Sequence, residues 1–463
     1  MKKTEGFHVP HVYVVLFGLM VVCALLSYVV PAGMYDVEMV KGIEIIRSGT
    51  YRRIESTPVS LMQLLSAVPR GMCDAAQVVF FIFMVGGAFG IIQETGVMES
   101  AMYSGIRRLK GKTYFIIPVT MLLFSLGAAV FGMLEENLVF IPIFVSMSLA
   151  MGYDSITGVA MVLCSSAVGY AGAFINPFTV EMAQGIAGLP MLSGFGYRIM
   201  IYMAFLTVTI LMITRYAGRV RKDPESSPVY ELDRKRKRID LEGDIKPFGK
   251  RERVSMLVFF GAIVLLVVGV MRWDWYMNEI AALFLGMSIL IGMIMGVGFS
   301  QFAKIFEENM AGIASGALAV GIARGILVIL MDGNILHTLL NNAELLLKNL
   351  PSMVTSLGMY FFQCLLSVFV ASGSGQASIS MPILAPLSDL VGVTRQTACI
   401  AYQIGDAVSD VITPTCGVLM GALSMVKIPW GKWIRWLLPI VVIQYILGAV
   451  FVIVADVISL GPF

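Results

Sequence analysis

The sequence predicts an all-α polytopic membrane protein with two inverted repeats, each containing a re-entrant hairpin and a broken helix. This prediction rests on composition, on apolar runs of membrane-spanning length, and on a weak internal repeat. With 58% hydrophobic and 14% charged residues, the chain is far more apolar than soluble domains, in which about 25% of residues are charged. A β-barrel would show alternating segments of about ten residues, and the sequence has no such pattern.

Apolar runs of membrane-spanning length recur from one end of the chain to the other. A helix crosses the bilayer with roughly 18 to 20 apolar residues. Runs that approach or exceed this length are 12–30, 72–92, 196–214, 254–271, 280–297, 312–331 and 437–460.

The long polar segment 215–253 is rich in Lys and Arg, which favours a cytoplasmic position. A lipid- or nucleic-acid-binding basic patch is the alternative to a linker that sets topology. We expect the lipid bilayer, and no nucleic acid, to be a partner. The run at 12–30 is interpreted as an uncleaved first helix with its N-terminus in the cytoplasm. Shorter basic clusters at 2–3, 107–112 and 427–435 are expected on the same side.

Cysteine and histidine usage gives no sign of a metal site. The six cysteines lie scattered in apolar segments without CxxC spacing, which predicts reduced packing residues. The three histidines are far apart, so a transition-metal site is not expected. No cofactor is predicted.

An internal repeat divides the chain into halves 1–214 and 254–463, joined by the linker 215–253. A shift of 240 residues superposes two stretches in which a polar interruption is followed by an apolar helix. The identities are Pro142 with Pro382, Ile143 with Ile383, Ser148 with Ser388, Gly152 with Gly392, and Thr157 with Thr397.

Each half contains a long apolar segment with a polar interruption. Segment 114–151 is too long for one span and is interrupted by FGMLEEN, so it predicts a hairpin that enters and leaves on the cytoplasmic side. The equivalent segment 357–391 begins at the opposite face, which makes the halves inverted. In secondary transporters with inverted repeats, substrate and ion sites form near the midplane from discontinuous helices.

A broken helix follows each hairpin, at 155–190 and at 395–426. Asn176-Pro177 and Thr413-Pro414 interrupt them, because proline lacks an N–H and crowds the preceding turn. Side-chain oxygens and freed carbonyls at the breaks are candidates for Na⁺ coordination, with simple capping of the helix ends as the alternative.

Four acids stand out inside or beside apolar segments. A carboxylate at mid-bilayer costs roughly 2.5 to 3.5 kcal/mol, so Glu135 and Glu136 predict a functional role. A structural salt bridge, to Arg324 or Arg198, is the alternative. Asp406 and Asp410 are four residues apart and share one helix face.

Two arginines of the second half receive separate interpretations. Arg395 lies at an expected helix start, where it can reach water. Arg324 is expected either to pair with an acid or to lie at a domain boundary. We predict that these two arginines do not both line the substrate cavity.

Long runs in the right order resemble the YfcC-like branch of the C4-dicarboxylate anaerobic carrier family, within the ion transporter superfamily. These runs are EENLVFIPI, SSAVGYAGAFINPFTVEMAQGIAGLP and SGSGQASISMPILAPLSDLVGVTRQTACIAYQIGDAVSDVITPT. The resemblance implies a homodimer with scaffold and transport domains, two re-entrant hairpins and elevator-type alternating access. It also implies the cytoplasmic membrane of a prokaryote as the location.

Related divalent-anion sodium symporters carry a Ser-Asn-Thr signature at each hairpin tip. The matching positions here are Glu135-Glu136-Asn137 and Ser374-Gly375-Gln376. Two acids at a tip repel anions unless they are protonated or cation-bound, so the departure disfavours a dicarboxylate substrate.

The sequence therefore predicts a secondary active transporter, symporter or antiporter, of a small organic solute, favouring basic amino acids such as arginine or ornithine. Coupling to Na⁺ or H⁺ stays open. Alternatives are a Na⁺- or H⁺-coupled carrier of C4-dicarboxylates or other carboxylates, a non-transporting receptor, and an intramembrane aspartyl protease using Asp154 and Asp406. The predicted substrate-binding residues are Glu135, Glu136, Asn137, Asn176, Ser374, Gly375, Gln376, Asp406, Asp410 and Thr415. The predicted ion-binding residues are Glu136, Asn137, Asn176, Pro177, Gln376, Asp406, Thr413 and Pro414.

Overall fold

A computed structural model describes most of the chain as a helical assembly. The described residues are 11–40, 43–47, 49–97, 115–176, 178–190, 192–236, 249–273, 275, 277–347 and 350–461. The basic cluster at 107–112, the dipeptide at 2–3 and Pro177 lie outside them, as does 237–248 of the predicted linker.

The chain begins with one long helix, a small β region and a helix pair. Helix α1 (Val12–Val29) is followed by strands β1 (Gly33–Met34), β2 (Val37–Val40), β3 (Ile43–Ile46) and β4 (Arg52–Arg53). Strand β1 pairs with β4, and β2 pairs with β3, both antiparallel. These strands are short exceptions in a helical structure, so the all-α prediction is confirmed. Helices α2 (Leu61–Asp74) and α3 (Ala76–Glu94) follow.

The rest of the first half consists of shorter helices that end in one long helix. Helix α4 (Ile116–Phe131) leads through a 3₁₀ turn (Glu136–Phe140) into α5 (Ile141–Ala150). Helices α6 (Ser155–Ala171) and α7 (Val180–Ile186) flank the first break. Helix α8 (Phe195–Lys222) continues into the predicted linker, which also contains the 3₁₀ turn Pro224–Ser226 and α9 (Tyr230–Arg234).

The predicted second half is also helical in its described residues. It starts with α10 (Lys250–Trp273), α11 (Met277–Met295), α12 (Phe299–Asp332) and α13 (Leu336–Leu347). Helix α14 (Ser352–Phe369) precedes the SGSGQ segment (372–376), and α15 (Gly373–Leu390) begins within it. Helices α16 (Arg395–Asp410) and α17 (Gly417–Met425) flank the second break, and α18 (Trp430–Val457) ends the fold.

Length and composition make 7 helices capable of crossing a membrane within the described residues. They are α1, α3, α8, α11, α12, α14 and α18. The predicted run 254–271 lies within α10, while the predicted run 72–92 begins in α2 and breaks at Ala75. The chain is therefore a multi-span membrane protein with one predicted span divided.

Helices α6 and α16 form the centre of the structure. Every residue of α6 is buried, and so is every residue of α16 after its first. They contact each other, and α4, α5 and α8 surround α6 while α14, α15 and α18 surround α16. The ends of these two helices are therefore fixed from all sides.

A second group of helices packs around α12. Helix α12 contacts α1, α2 and α3 on one side and α17 on another. Gly71 meets Gly321 and Gly325 backbone to backbone: a Cβ on Gly71 would lie 2.4 Å from the Gly325 nitrogen and 2.5 Å from the Gly321 oxygen. Such close approach by small residues is typical of helix association in membranes.

Candidate functional site

A cavity of about 300 Å³ lies where the two polar interruptions and the two helix breaks meet. This size suits a small organic solute, because drug-sized ligands occupy pockets from roughly 300 Å³ upward. One wall comes from α12 and the α2–α3 junction. Polar or charged residues in the lining are Asp74, Glu135, Glu136, Tyr170, Thr179, Arg324, Ser372, Ser374, Asp410 and Thr415.

The polar interruption FGMLEEN (131–137) is called the first tip. It turns at Gly132, which follows the last residue of α4 and has a φ of 71°. Its carbonyl accepts a hydrogen bond from the Tyr170 hydroxyl at 2.6 Å. A side chain at Gly132 would collide with Phe178, since an added Cβ would lie 2.5 Å from that ring. Helix α6 thus holds the first tip directly against the cavity.

Both acids of the first tip line the cavity. The Leu134 amide donates to Glu136 Oε2 at 3.1 Å, and Glu136 is only 6% exposed. Among the described residues, neither Glu135 nor Glu136 makes an ion pair. The predicted alternative of a salt bridge to Arg324 or Arg198 therefore does not hold in this conformation.

Asn137 points away from the cavity. Its side-chain amide donates to the Met133 carbonyl and to Ser166 Oγ, both at 2.8 Å. These bonds attach the start of the 3₁₀ turn to α6. Asn137 thus supports the tip that presents the acids.

The SGSGQ segment (372–376) is called the second tip. Its residues Ser372, Gly373 and Ser374 line the cavity. Ser372 caps α15 by accepting from the Gly375 amide at 3.4 Å. The Gly373 carbonyl accepts from the Tyr402 hydroxyl at 2.6 Å. Each tip is therefore bound to the helix behind it through a glycine carbonyl and a tyrosine hydroxyl.

Gln376 lies behind this tip and does not line the cavity. Its side-chain amide donates to the carbonyl of Gln363 at 3.0 Å and to that residue's Oε1 at 2.7 Å. Gly375 does not line the cavity either. Of the predicted SGQ signature, only Ser374 reaches it.

The two acids of α16 differ in their surroundings. Asp410 lines the cavity and accepts from Ser367 Oγ at 3.2 Å. Asp406 lies one turn deeper, and a Cβ on Gly373 would be 3.0 Å from its Oδ2. It is 1% exposed and its Oδ1 has no hydrogen-bond partner in the described structure.

Three buried oxygens near the second tip lack a hydrogen-bond donor. They are Asp406 Oδ1, Gln376 Oε1 and Gln403 Oε1. Gln403 also joins the two halves, because its amide donates to the Tyr170 carbonyl at 2.6 Å and to Thr179 Oγ1 at 2.9 Å. Unsatisfied buried acceptors are costly, and oxygen ligands suit Na⁺ or a proton. Each of these oxygens is therefore a buried acceptor that a donor or a cation would satisfy.

Asn176 joins the C-terminal end of α4 to the loop that precedes α7 at the first break. Its amide donates to the Ala128 carbonyl at 3.1 Å, and its Oδ1 accepts from Phe178 N at 2.9 Å and Thr179 N at 3.2 Å. Coordination of an ion by this oxygen would require these bonds to be given up. Its predicted partner at the break, Pro177, lies outside the described residues.

At the second break, tryptophans satisfy two freed carbonyls. Trp433 Nε1 donates to Val411 O at 2.9 Å, and Trp430 Nε1 donates to Ile412 O at 3.0 Å. These carbonyls are therefore occupied by donors. Thr413 and Thr415 share a hydroxyl–hydroxyl bond of 2.8 Å, and of these two only Thr415 lines the cavity. Pro414 is buried between them and is not in the lining.

The arginines divide as the sequence predicted, since Arg324 lines the cavity and Arg395 does not. The Arg395 side chain is 38% exposed. It pairs with Asp389 at 2.7 Å and also donates to the Ala187 carbonyl. Arg324 is exposed and forms no ion pair with any described residue. Of the two alternatives expected for Arg324, an ion pair with an acid is not observed among the described residues, and a position at a domain boundary stays a prediction. Arg198 is 1% exposed, and its Nε and Nη2 have no partner in the described structure.

The structure thus gathers Glu135, Glu136, Ser374, Asp410 and Thr415 around one cavity. The remaining described candidates do not line the cavity: they are Asn137, Asn176, Gly375, Gln376, Asp406, Thr413 and Pro414. Sequence reasoning missed Asp74, which ends α2. Its signal was an acid inside the apolar run 72–92, where an ionisable residue is costly.

Comparison with known proteins yields one family across nearly the whole chain. Residues 9–457 match the C4-dicarboxylate anaerobic carrier family, DcuC. YfcC of Escherichia coli K12, whose name proposes a basic amino acid antiporter, is 33% identical over 98% of both chains. A Haemophilus influenzae protein without an assigned function is 28% identical, also over 98% of both chains.

Two solved transporter structures are similar to this chain over most of its length, at low sequence identity. The Alcanivorax borkumensis YdaH transporter is 17% identical with a TM-score of 0.43, over 96% of this chain and 98% of that one. Neisseria gonorrhoeae MtrF, described among antimetabolite efflux pumps, has the same identity and TM-score, over 98% of this chain and 97% of that one.

Proposed function

Because this chain belongs to the C4-dicarboxylate anaerobic carrier family and is thus a membrane transporter and not an enzyme, we propose that it carries basic amino acids by exchange. The related Escherichia coli protein whose name proposes basic amino acid antiport supports this choice. The proposed substrates are arginine, ornithine and lysine.

One observation carries the proposal. Three acids, Glu135, Glu136 and Asp410, line one cavity of about 300 Å³ and make no ion pair with a described residue. Carboxylates away from bulk water are expensive unless a cation compensates them. A guanidinium or ammonium group of the substrate supplies that cation. A C4-dicarboxylate would bring two further negative charges to the same place.

The group behind the second tip is proposed to bind the coupling ion. Asp406 and Gln376 offer buried oxygens without donors, and Asp406 approaches the tip at Gly373. A proton or Na⁺ at Asp406 would neutralise it while the substrate occupies the cavity. Asn137, Asn176, Thr413 and Pro414 are then supports that shape the tips and breaks.

The transport cycle is proposed to be of the elevator type. Helices α4–α8, α14, α15 and α18 pack around or beside α6 and α16 and would move together with them. Helices α1–α3 and α10–α12 would form the static scaffold of a homodimer in the cytoplasmic membrane. The cavity lies between the two groups, because its lining comes from α12 and the α2–α3 junction on one side and from both tips on the other.

Exchange in proteoliposomes tests the function. Vesicles loaded with unlabelled arginine should take up labelled arginine, ornithine or lysine, and vesicles loaded with succinate should not. Glu136→Gln should reduce this exchange at least about tenfold, because it removes one charge that compensates the substrate. Asp406→Asn should abolish its dependence on Na⁺ or pH.

Asp389→Asn is the matched control, since Asp389 pairs with Arg395 outside the cavity. It should exchange arginine at the wild-type rate. All variants are checked for equal abundance and a single size-exclusion peak. Succinate exchange by the wild-type protein without arginine exchange would contradict the proposal and favour a dicarboxylate carrier.

A further inference from the structure

Arg324 places a cation in the same cavity as the acids. Helix α12 turns one face toward the cavity with Val320, Ala323, Arg324 and Leu327, whose spacing puts them on a single helix face. Nothing in the proposed function so far uses this positive charge.

The Arg324 guanidinium is available to a ligand. It forms no ion pair with a described residue, although Asp74 lines the same wall. Asp332, at the end of the same helix, is already held by Arg70 through two hydrogen bonds, one of them at 2.9 Å. The cavity thus contains unpaired charges of both signs.

The backbone that carries Arg324 is fixed. Gly321 and Gly325 lie on either side of it in sequence and contact α2 through backbone atoms. A Cβ on Gly325 would lie 2.9 Å from the Ala67 carbonyl oxygen. Helix α12 therefore cannot readily rotate Arg324 out of the cavity toward another partner.

We propose that in this conformation, before the tips move past α12, Arg324 binds the α-carboxylate of the substrate while Glu135, Glu136 and Asp410 receive its cationic end. This inference rests on the proposed function and narrows it to intact amino acids. A guanidinium presents two parallel N–H donors that match the two oxygens of a carboxylate. A solute with only one kind of charge would leave the opposite wall uncompensated.

The site should therefore discriminate against the decarboxylated form of its substrate. Agmatine has the guanidinium of arginine and lacks the carboxylate. It can satisfy the acids of the tip and leaves Arg324 without a partner. Argininamide is the closer probe, because it keeps the substituted α-carbon and replaces the carboxylate with a neutral amide of similar size, whereas agmatine has only hydrogen there.

Competition for exchange of labelled arginine in proteoliposomes measures this discrimination. In the wild-type protein, unlabelled arginine should compete at least about tenfold better than agmatine or argininamide. Arg324→Gln should weaken competition by arginine about tenfold or more and leave that by agmatine unchanged, so that the ratio approaches one. Arg324→Lys should give an intermediate ratio, because an ammonium keeps the charge but lacks the two parallel N–H donors of a guanidinium.

Arg395→Gln is the control, since Arg395 is a cation outside the cavity, and it should keep the wild-type ratio. Should Arg324→Gln fail to reach the membrane, Arg324→Lys provides the same ratio test. Discrimination that survives in both variants overturns the inference and places the carboxylate elsewhere, with the start of α15 as the next position to test. Absence of any basic amino acid exchange in the wild-type protein overturns the proposed function itself, and this inference with it.

Discussion

Replacing Asn176 with alanine separates a capping role from an ion-binding role. The side chain is 0% exposed and makes three hydrogen bonds, to Ala128 O, Phe178 N and Thr179 N. Each is worth about 0.5–1.5 kcal/mol net, and each buried group left unsatisfied costs about 1–3 kcal/mol. Because Thr179 borders the cavity, water can reach part of the lost contacts. We therefore expect Asn176→Ala to lower the stability by about 3 kcal/mol.

Thermal unfolding of the detergent-purified protein, with and without Na⁺, provides the assay. Under a capping role the midpoint falls by several degrees in Na⁺-free buffer, and any stabilisation by added Na⁺ stays as large as in the wild type. Asn176→Ser should recover part of the loss, because serine also caps helix N-termini. Thr207→Ala serves as control, since its exposed hydroxyl bonds only within its own helix.

An unchanged midpoint in Na⁺-free buffer would refute this reasoning. If the same variant also lost its stabilisation by Na⁺, Asn176 would be an ion ligand whose hydrogen bonds in this conformation are expendable. The two roles thus predict opposite results in the same pair of buffers.

Further predictions concern the second break, the outer segment and the topology. Trp433→Phe should lower the midpoint by an amount equivalent to about 1–2 kcal/mol, because Val411 O loses its only indole donor, whereas Trp273→Phe at an exposed position should not. The Tyr35 amide donates to His337 Nδ1 at 3.2 Å, and burial lowers the pKa of His337 below 6.5. The stability that neutral His337 contributes is therefore complete above pH 6.5 and is lost as the pH falls through the lower folded-state pKa. Thermal unfolding midpoints measured across this pH range should show the loss in the wild type and not in His337→Gln. A cysteine at Ser226, in a background without native cysteines, should resist an impermeant thiol reagent added outside intact cells; labelling would place the linker outside. Ser226 is preferable to its neighbour Ser227, which is buried against Asp154.

Much of the helical pattern could be predicted because apolar length and proline breaks are local signals. Helices α6 and α16 begin at the first residues of the predicted broken helices, where Asp154 and Thr394 cap them. The acids of FGMLEEN also line the cavity, as an intramembrane charge suggests. These features depend only on neighbouring residues.

Other features depend on distant residues and had no local signal. Sequence spacing could not show that indoles of α18 would satisfy carbonyls of α16, or that Asn137 would face Ser166 and not the cavity. The strands between α1 and α2 were missed because each is only two to four residues long. Tertiary packing determines all of these outcomes.

The glycine contact between α2 and α12 has a consequence for how substrate preference can change during evolution. Gly71, Gly321 and Gly325 leave no room for a side chain, so substitution there forces the helices apart. Position 324 lies between two of these glycines, and its side chain lines the cavity. We therefore expect substrate preference to change through substitution at position 324, while Gly71, Gly321 and Gly325 stay glycine.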